Sequence, residues 1–165
     1  MIPSVIDTLS QATQDVFETM VFREISCEGQ IDAEALRPQA NVVGTVGLAG
    51  SPNGLVTFYT SFAAARDIAS AMLGMPAGDV NGELTDAIGE VTNMIAGSFR
   101  TRMAEIGDAW TITIPTVAIG SDFTIKPLVS GRRVLLPFRM EAHQIFVELL
   151  LTDADAFPGE TRGDE

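Results

Sequence analysis

The longest regular pattern in this chain runs from about Asn81 to Ile106 and ends at Gly107. At about 100° per residue, Leu84, Ile88, Val91, Ile95, Phe99 and Ile106 fall on one side, and Asp86, Glu90, Asn93, Gly97 and Arg100 on the other. The spacing predicts one amphipathic helix roughly 40 Å long. Its apolar stripe must be buried against a sheet or other helices, which leaves the carboxylates, the amide and the glycine facing water or a partner. Gly97 is out of place there, because a glycine inside a helix costs about 1 kcal/mol relative to alanine. A missing side chain would let another backbone come close, either from a different protein or from a helix in a homo-oligomer.

The segments around this helix supply the sheet. Ser4 suits an N-cap, and Ile6, Leu9, Val16, Phe17 and Met20 recur at helical spacing to about Arg23. A polar connection from Cys27 to Ala40 leads to a strand at Asn41 to Ala49. The Asn53-Gly54 pair suits a tight hairpin turn into a second strand, Leu55 to Thr60. Ser61 caps a short helix, Phe62 to Leu73, which Gly74 and Pro76 stop. Three or four further strands are expected, at Trp110 to Ile114, Val117 to Ile125 with an interruption at Gly120, Arg133 to Met140 and Gln144 to Leu151, with Pro115 and Pro137 marking edges or bulges. The sum is an α/β (α+β) fold, a mixed and mostly antiparallel sheet with long helices packed on one face. One domain, residues 1–152, is followed by an acidic tail, 153–165, that reads as solvated and flexible.

Composition narrows the function by exclusion. With 46% hydrophobic residues among 165, a real core is within reach. Twenty-two acidic residues against 10 basic ones give a net charge of -12, which repels nucleic acid and anionic membrane surfaces alike. One cysteine, Cys27, and one histidine, His143, fall short of any zinc-ligand spacing, so no metal site is expected. No leader-like start and no run of eighteen or so apolar residues is present, and a cytoplasmic protein without membrane insertion is the expectation. Ser51 and Ser98 lack the G-x-S-x-G elbow and there is no G-x-x-x-x-G-K-[ST] loop. His143 reads as a surface or hairpin residue, and Met72, Met75, Met94 and Met103 read as packing.

What remains is the polar row on the long helix. Glu90 and Asn93, three residues apart, are neighbours on the helix surface. An amide cannot act as a general base, but it accepts one hydrogen bond through oxygen and donates two through nitrogen, enough to orient a water molecule. Phosphoryl transfer asks for little more, since its catalysis consists mainly of placing an in-line nucleophile and neutralising charge. If a phosphorylated partner brings its own Mg²⁺ and lysine, one amide and one docking carboxylate suffice. By itself, a Glu-x-x-Asn on an exposed helix is ordinarily only solvated surface.

The surrounding residues sharpen that reading. Asp86-Ala-Ile-Gly-Glu90-Val-Thr-Asn93-Met-Ile-Ala-Gly97, preceded by Ala71-Met-Leu-Gly74 and followed by Ile114-Pro-Thr-Val-Ala-Ile-Gly120, resembles the CheX branch of the CheC/CheX/FliY phosphatases of bacterial chemotaxis. The resemblance extends in order of elements from about Val42 to Leu151. It implies a CheC/CheX-like fold and an enzyme that dephosphorylates a CheY-like response regulator. Asn93 would orient the hydrolytic water and Glu90 would contact the regulator's lysine. Asp86, Gly97 and Arg100 would line the partner contact, and Mg²⁺ would sit on the phosphorylated partner. The first helix offers Glu18-Thr-Met-Val21, without the asparagine, which implies one active site per chain and, with the CheX pattern, a homodimer. The rival reading is a module that binds a receiver domain without turnover, and a weaker third is a structural component of a signalling assembly.

Overall fold

The computed structural model describes residues 4–32, 36–50, 52–103, 110–128 and 130–152. Helix α1 (Val5–Val16) runs on through a π-helical turn, Phe17–Val21, to β1 (Ser26–Cys27). Then come β2 (Ala40–Ala49), β3 (Gly54–Thr60), α2 (Phe62–Leu73), α3 (Leu84–Arg102), β4 (Thr111–Ile112), β5 (Thr116–Phe123), β6 (Arg132–Met140) and β7 (His143–Leu151). The sheet order is β1-β6-β7-β3-β2, with β4 and β5 both paired to β2, and every strand pair among the described residues is antiparallel.

Local chemistry sets the helix ends. The Ser61 side chain accepts from the Ala64 amide at 3.1 Å, and Gly74 closes α2 at φ +64°. Helix α3 is shorter than the periodicity suggested. Asn81–Glu83 forms a separate 3₁₀ turn, because Gly82 is a poor helix former and fully buried Val80 pins the turn to the core. The described helix ends at Arg102, and Ile106, Gly107 and the acidic tail lie outside the described residues.

Alternation along the strands sorts the two sheet faces. Val42, Val46, Val56, Phe58, Leu136, Phe138, Val147 and Leu149 point to the helical side and meet Leu9, Phe17, Ile68, Ile88, Ile95 and Phe99 from α1, α2 and α3. A smaller cluster of Ala40, Val43 and Tyr59 packs with Phe123, Ile125 and Phe146 on the other face. That face also buries an ion pair, Arg133 to Glu148 at 2.6 Å. Burial, reinforced by the Glu148 carboxylate, pushes the Tyr59 hydroxyl well above its ordinary pKa.

Both prolines act as expected, each by a different route. Leu48 pairs with Ile112 and Thr45 with Thr116, so Val46 faces two residues, Ile114 and Pro115. This is a β-bulge, and it reduces the expected Trp110 to Ile114 strand to two residues. The Pro137 carbonyl accepts from the Glu28 amide at 2.8 Å. Its missing donor therefore faces the outer edge of β6, where β1 pairs over only two residues. Met72, Met94 and Met103 pack on the core, but Met75 is exposed beside the end of α2 and is not a packing residue.

Candidate active site

Two close approaches fix the height of α3 above the sheet. On β2, Gly44 faces the helix, and a Cβ there would run into Thr92 Oγ1 and lie 3.3 Å from the Ile88 carbonyl oxygen. The buried Thr92 hydroxyl donates to that same carbonyl at 2.7 Å, so its polar group is satisfied inside the helix. At the sheet edge, a Cβ on Gly89 would lie 3.4 Å from Val117 Cγ2 and 3.9 Å from Pro115 Cβ. Some two turns further along, a Cβ on Gly97 would lie 3.9 Å from Ile112 Cδ1. Helix α3 therefore runs antiparallel to β4 and β5, with its apolar stripe on the core and its polar row along the open edge.

Burial divides the helix as the sequence pattern requires. Leu84, Ile88, Val91, Ile95 and Phe99 are buried, and each large apolar side chain removed from water contributes about 1.5–3 kcal/mol. Phe99 stacks on Trp110 at 5.8 Å, and the Trp110 indole donates to the Pro52 carbonyl at 2.7 Å. Arg102 pairs with Asp15 on α1 and ties the two helices together.

Asp86 and Glu90 are exposed, while Asn93, Gly97 and Arg100 are half-buried. With Thr85, Gly89, Pro115 and Val117, Asp86 and Glu90 line an open hollow of about 480 Å³ between α3 and the bulged edge. Asn93, Gly97 and Arg100 continue along α3 beyond the hollow. Among the described residues neither Glu90 nor Asn93 is engaged in a side-chain hydrogen bond, whereas Thr92 and Thr101 nearby bond back to their own helix. Both polar ends are thus available to something outside the chain.

Sequence reasoning did not single out Gly44, Thr92, Gly89 or Val117. The available signal was a glycine in the middle of a strand, which often marks close approach of another backbone. Another hollow, about 510 Å³, lies at the end of α1 and includes Glu18. Three residues on from Glu18 stands Val21, fully buried, so the position that Asn93 holds relative to Glu90 carries no amide there, although Gln14 lines the same hollow one turn earlier. His143 opens β7 and is held at 2.6 Å by Asp67 of α2, away from α3. Among the described residues no group of three or more His, Cys, Asp or Glu is placed to hold a metal ion, and no helix is long and apolar enough to cross a membrane.

An antiparallel sheet with three helices on one face is the fold of CheX and CheC-like chemotaxis proteins. The crystal structure of chemotaxis protein CheX from Desulfovibrio desulfuricans matches with a TM-score of 0.81 at 27% identity, covering 89% of this chain and 98% of that one. A chain of the CheX-CheY-BeF3-Mg²⁺ complex from Borrelia burgdorferi matches with a TM-score of 0.73 at 23% identity, covering 93% and 100%. The CheY-P phosphatase CheX of Thermotoga maritima is 33% identical over 87 residues, 52% of this chain and 56% of the relative, so the match spans little more than half of that protein. The family model for chemotaxis phosphatase CheX matches residues 42–139, and this chain belongs to that family.

Proposed function

We propose that this protein hydrolyses the aspartyl phosphate of a CheY-like receiver domain, with Asn93 as the residue that orients the attacking water and Glu90 as the carboxylate that docks on the partner's lysine. The observation that carries the reading is the pairing of Glu90 and Asn93 on one turn of α3, open to a partner and unbonded within the described residues. Family membership supports it. So does the Thermotoga maritima relative, named a CheY-P phosphatase, and the Borrelia burgdorferi complex, in which a CheX is bound to CheY with BeF3 and Mg²⁺.

Water oxygen attacks phosphorus in line, the bond from phosphorus to the partner's carboxylate oxygen breaks, and the partner's aspartate is regenerated as inorganic phosphate leaves. Asn93 supplies the position of the water, and Glu90 the register of the complex. Mg²⁺ belongs to the partner's phosphorylation site. Asp86, Gly97 and Arg100 extend the contact along α3. One site per chain and a homodimer, both carried over from the resemblance to the CheX branch, complete the reading, together with the cytoplasmic setting expected from the sequence.

The test is release of inorganic phosphate from a Mg²⁺-bound, phosphorylated CheY-type receiver with and without this protein. Acceleration that disappears in Asn93→Ala establishes the reaction and the site together. Binding of the phosphorylated receiver without acceleration would replace the phosphatase by a non-catalytic receiver-binding module.

A further inference from the structure

The bulge between β4 and β5 exposes a large apolar residue that the fold does not need there. The Thr113 amide donates to the Gly47 carbonyl at 2.9 Å, and regular pairing resumes at Thr45 and Thr116, so Ile114 is pushed out of the ladder. Its side chain is 88% exposed, on an edge where an isoleucine has no internal packing to gain. The bulge and Pro115 already protect this edge from unwanted pairing, and a side chain added for that purpose is ordinarily a charge, not an isoleucine. Here the whole stretch from Thr111 to Ser121 is uncharged, in a chain with a net charge of -12.

Position gives this strip a partner. Ile112 lies against Gly97, and Pro115 against Gly89, so Ile114 falls alongside the turn of α3 that carries Glu90 and Asn93. The hollow that Glu90 lines is walled by Pro115, the residue next to Ile114. An acidic protein that must meet an anionic phosphoryl group needs a surface that does not repel it, and this neutral, apolar ledge is continuous with the proposed active site. We infer that Ile114 is the apolar anchor of the enzyme–substrate contact, buried on docking against an apolar patch beside the receiver's phosphorylated aspartate. The inference rests on the phosphatase reading for the identity of the partner, and it adds the surface and the residue that give affinity.

The experiment measures two quantities for wild type, Ile114→Asp and Leu128→Asp. One is the Kd for a CheY-type receiver loaded with Mg²⁺ and beryllofluoride, and the other is KM and kcat for the phosphorylated receiver. Leu128 is 95% exposed in the connection between β5 and β6 and serves as the control for placing a charge on an exposed apolar residue. Removing one buried isoleucine should raise Kd and KM for Ile114→Asp roughly tenfold to a hundredfold, with kcat held within about twofold. Leu128→Asp should match wild type, and all three should share one thermal midpoint. Wild-type Kd in Ile114→Asp overturns the anchor. So does a weakened Kd accompanied by a halved molar mass in light scattering, which would assign Ile114 to a contact between copies of this chain. Tight, Ile114-dependent binding with no turnover by wild type would keep the anchor and remove the phosphatase reading instead.

Discussion

Thr92 Oγ1 occupies the space that a side chain on Gly44 would require. The strand and the helix are in contact through a hydroxyl on one side and bare backbone on the other, and the depth of α3 follows from that contact. Gly44→Ala should therefore destabilise the fold by about 1–3 kcal/mol through overpacking. Thr92→Ala removes the obstructing hydroxyl, so the double variant should recover part of the loss, a non-additivity that urea midpoints across the four proteins would reveal. Simple addition of the two single effects would mean that the helix moves freely over the strand.

Asn93 and Glu90 should separate rate from recognition. Among the described residues neither side chain makes a hydrogen bond or ion pair, so each should be truncated with small effect on stability. Asn93→Ala should lower kcat about 100-fold or more, the order seen when one positioned hydrogen-bonding group is removed from an active site, with Kd for the phosphorylated receiver nearly unchanged. Glu90→Ala should weaken Kd by about tenfold as well as lowering the rate, in line with one charge-assisted contact. Single-turnover phosphate release with binding measured in parallel distinguishes the two, and wild-type affinity in Glu90→Ala contradicts its docking role.

What the sequence made legible was whatever depends on local periodicity and turn chemistry. The stripe from Leu84 to Phe99, the Ser61 cap and the β2–β3 hairpin were readable because each is set within a few residues, but the Asn53-Gly54 pair does not form the expected tight turn: Gly54 already pairs with Leu48 in β3, and neither residue has a positive φ. Sheet order was not readable, since the pairing of β2 with β5 joins segments more than seventy residues apart and depends on which faces find each other. Pro115 announced an irregularity, but the direction in which the bulge pushes Ile114 is settled only by register against β2. The same holds for the site: Glu90 and Asn93 could be placed on one turn by counting, whereas Pro115 and Val117 come beside Glu90 only in three dimensions.

Tyr59 offers a pH probe remote from α3. Its burial, with the Glu148 carboxylate nearby, raises the folded-state pKa above the ordinary 10.0. Below that pH the phenol is protonated in both states and contributes no pH dependence. Above it the unfolded chain loses a proton that the folded chain keeps, so stability should fall by about 1.4 kcal/mol per pH unit until the folded-state pKa is reached. Tyr59 is the chain's one tyrosine, so tyrosinate absorbance reports it directly. Tyr59→Phe should flatten the alkaline slope, and an equal slope in that variant would place the titration elsewhere.

Gly97 tests whether the open side of α3 is shaped by this chain or by its partner. A Cβ there meets Ile112 Cδ1 at 3.9 Å, an ordinary contact, so nothing among the described residues demands a glycine. Gly97→Ala should then stabilise the protein by about 0.5–1 kcal/mol through helix propensity. If the gap exists to admit the receiver's backbone, the same methyl group should raise KM by about tenfold while the protein becomes more stable. A variant that gains stability and keeps its KM would show that the glycine has no part in docking. Loss of both would place Gly97 in packing, and the helix would then sit closer to Ile112 in solution than the 3.9 Å spacing allows.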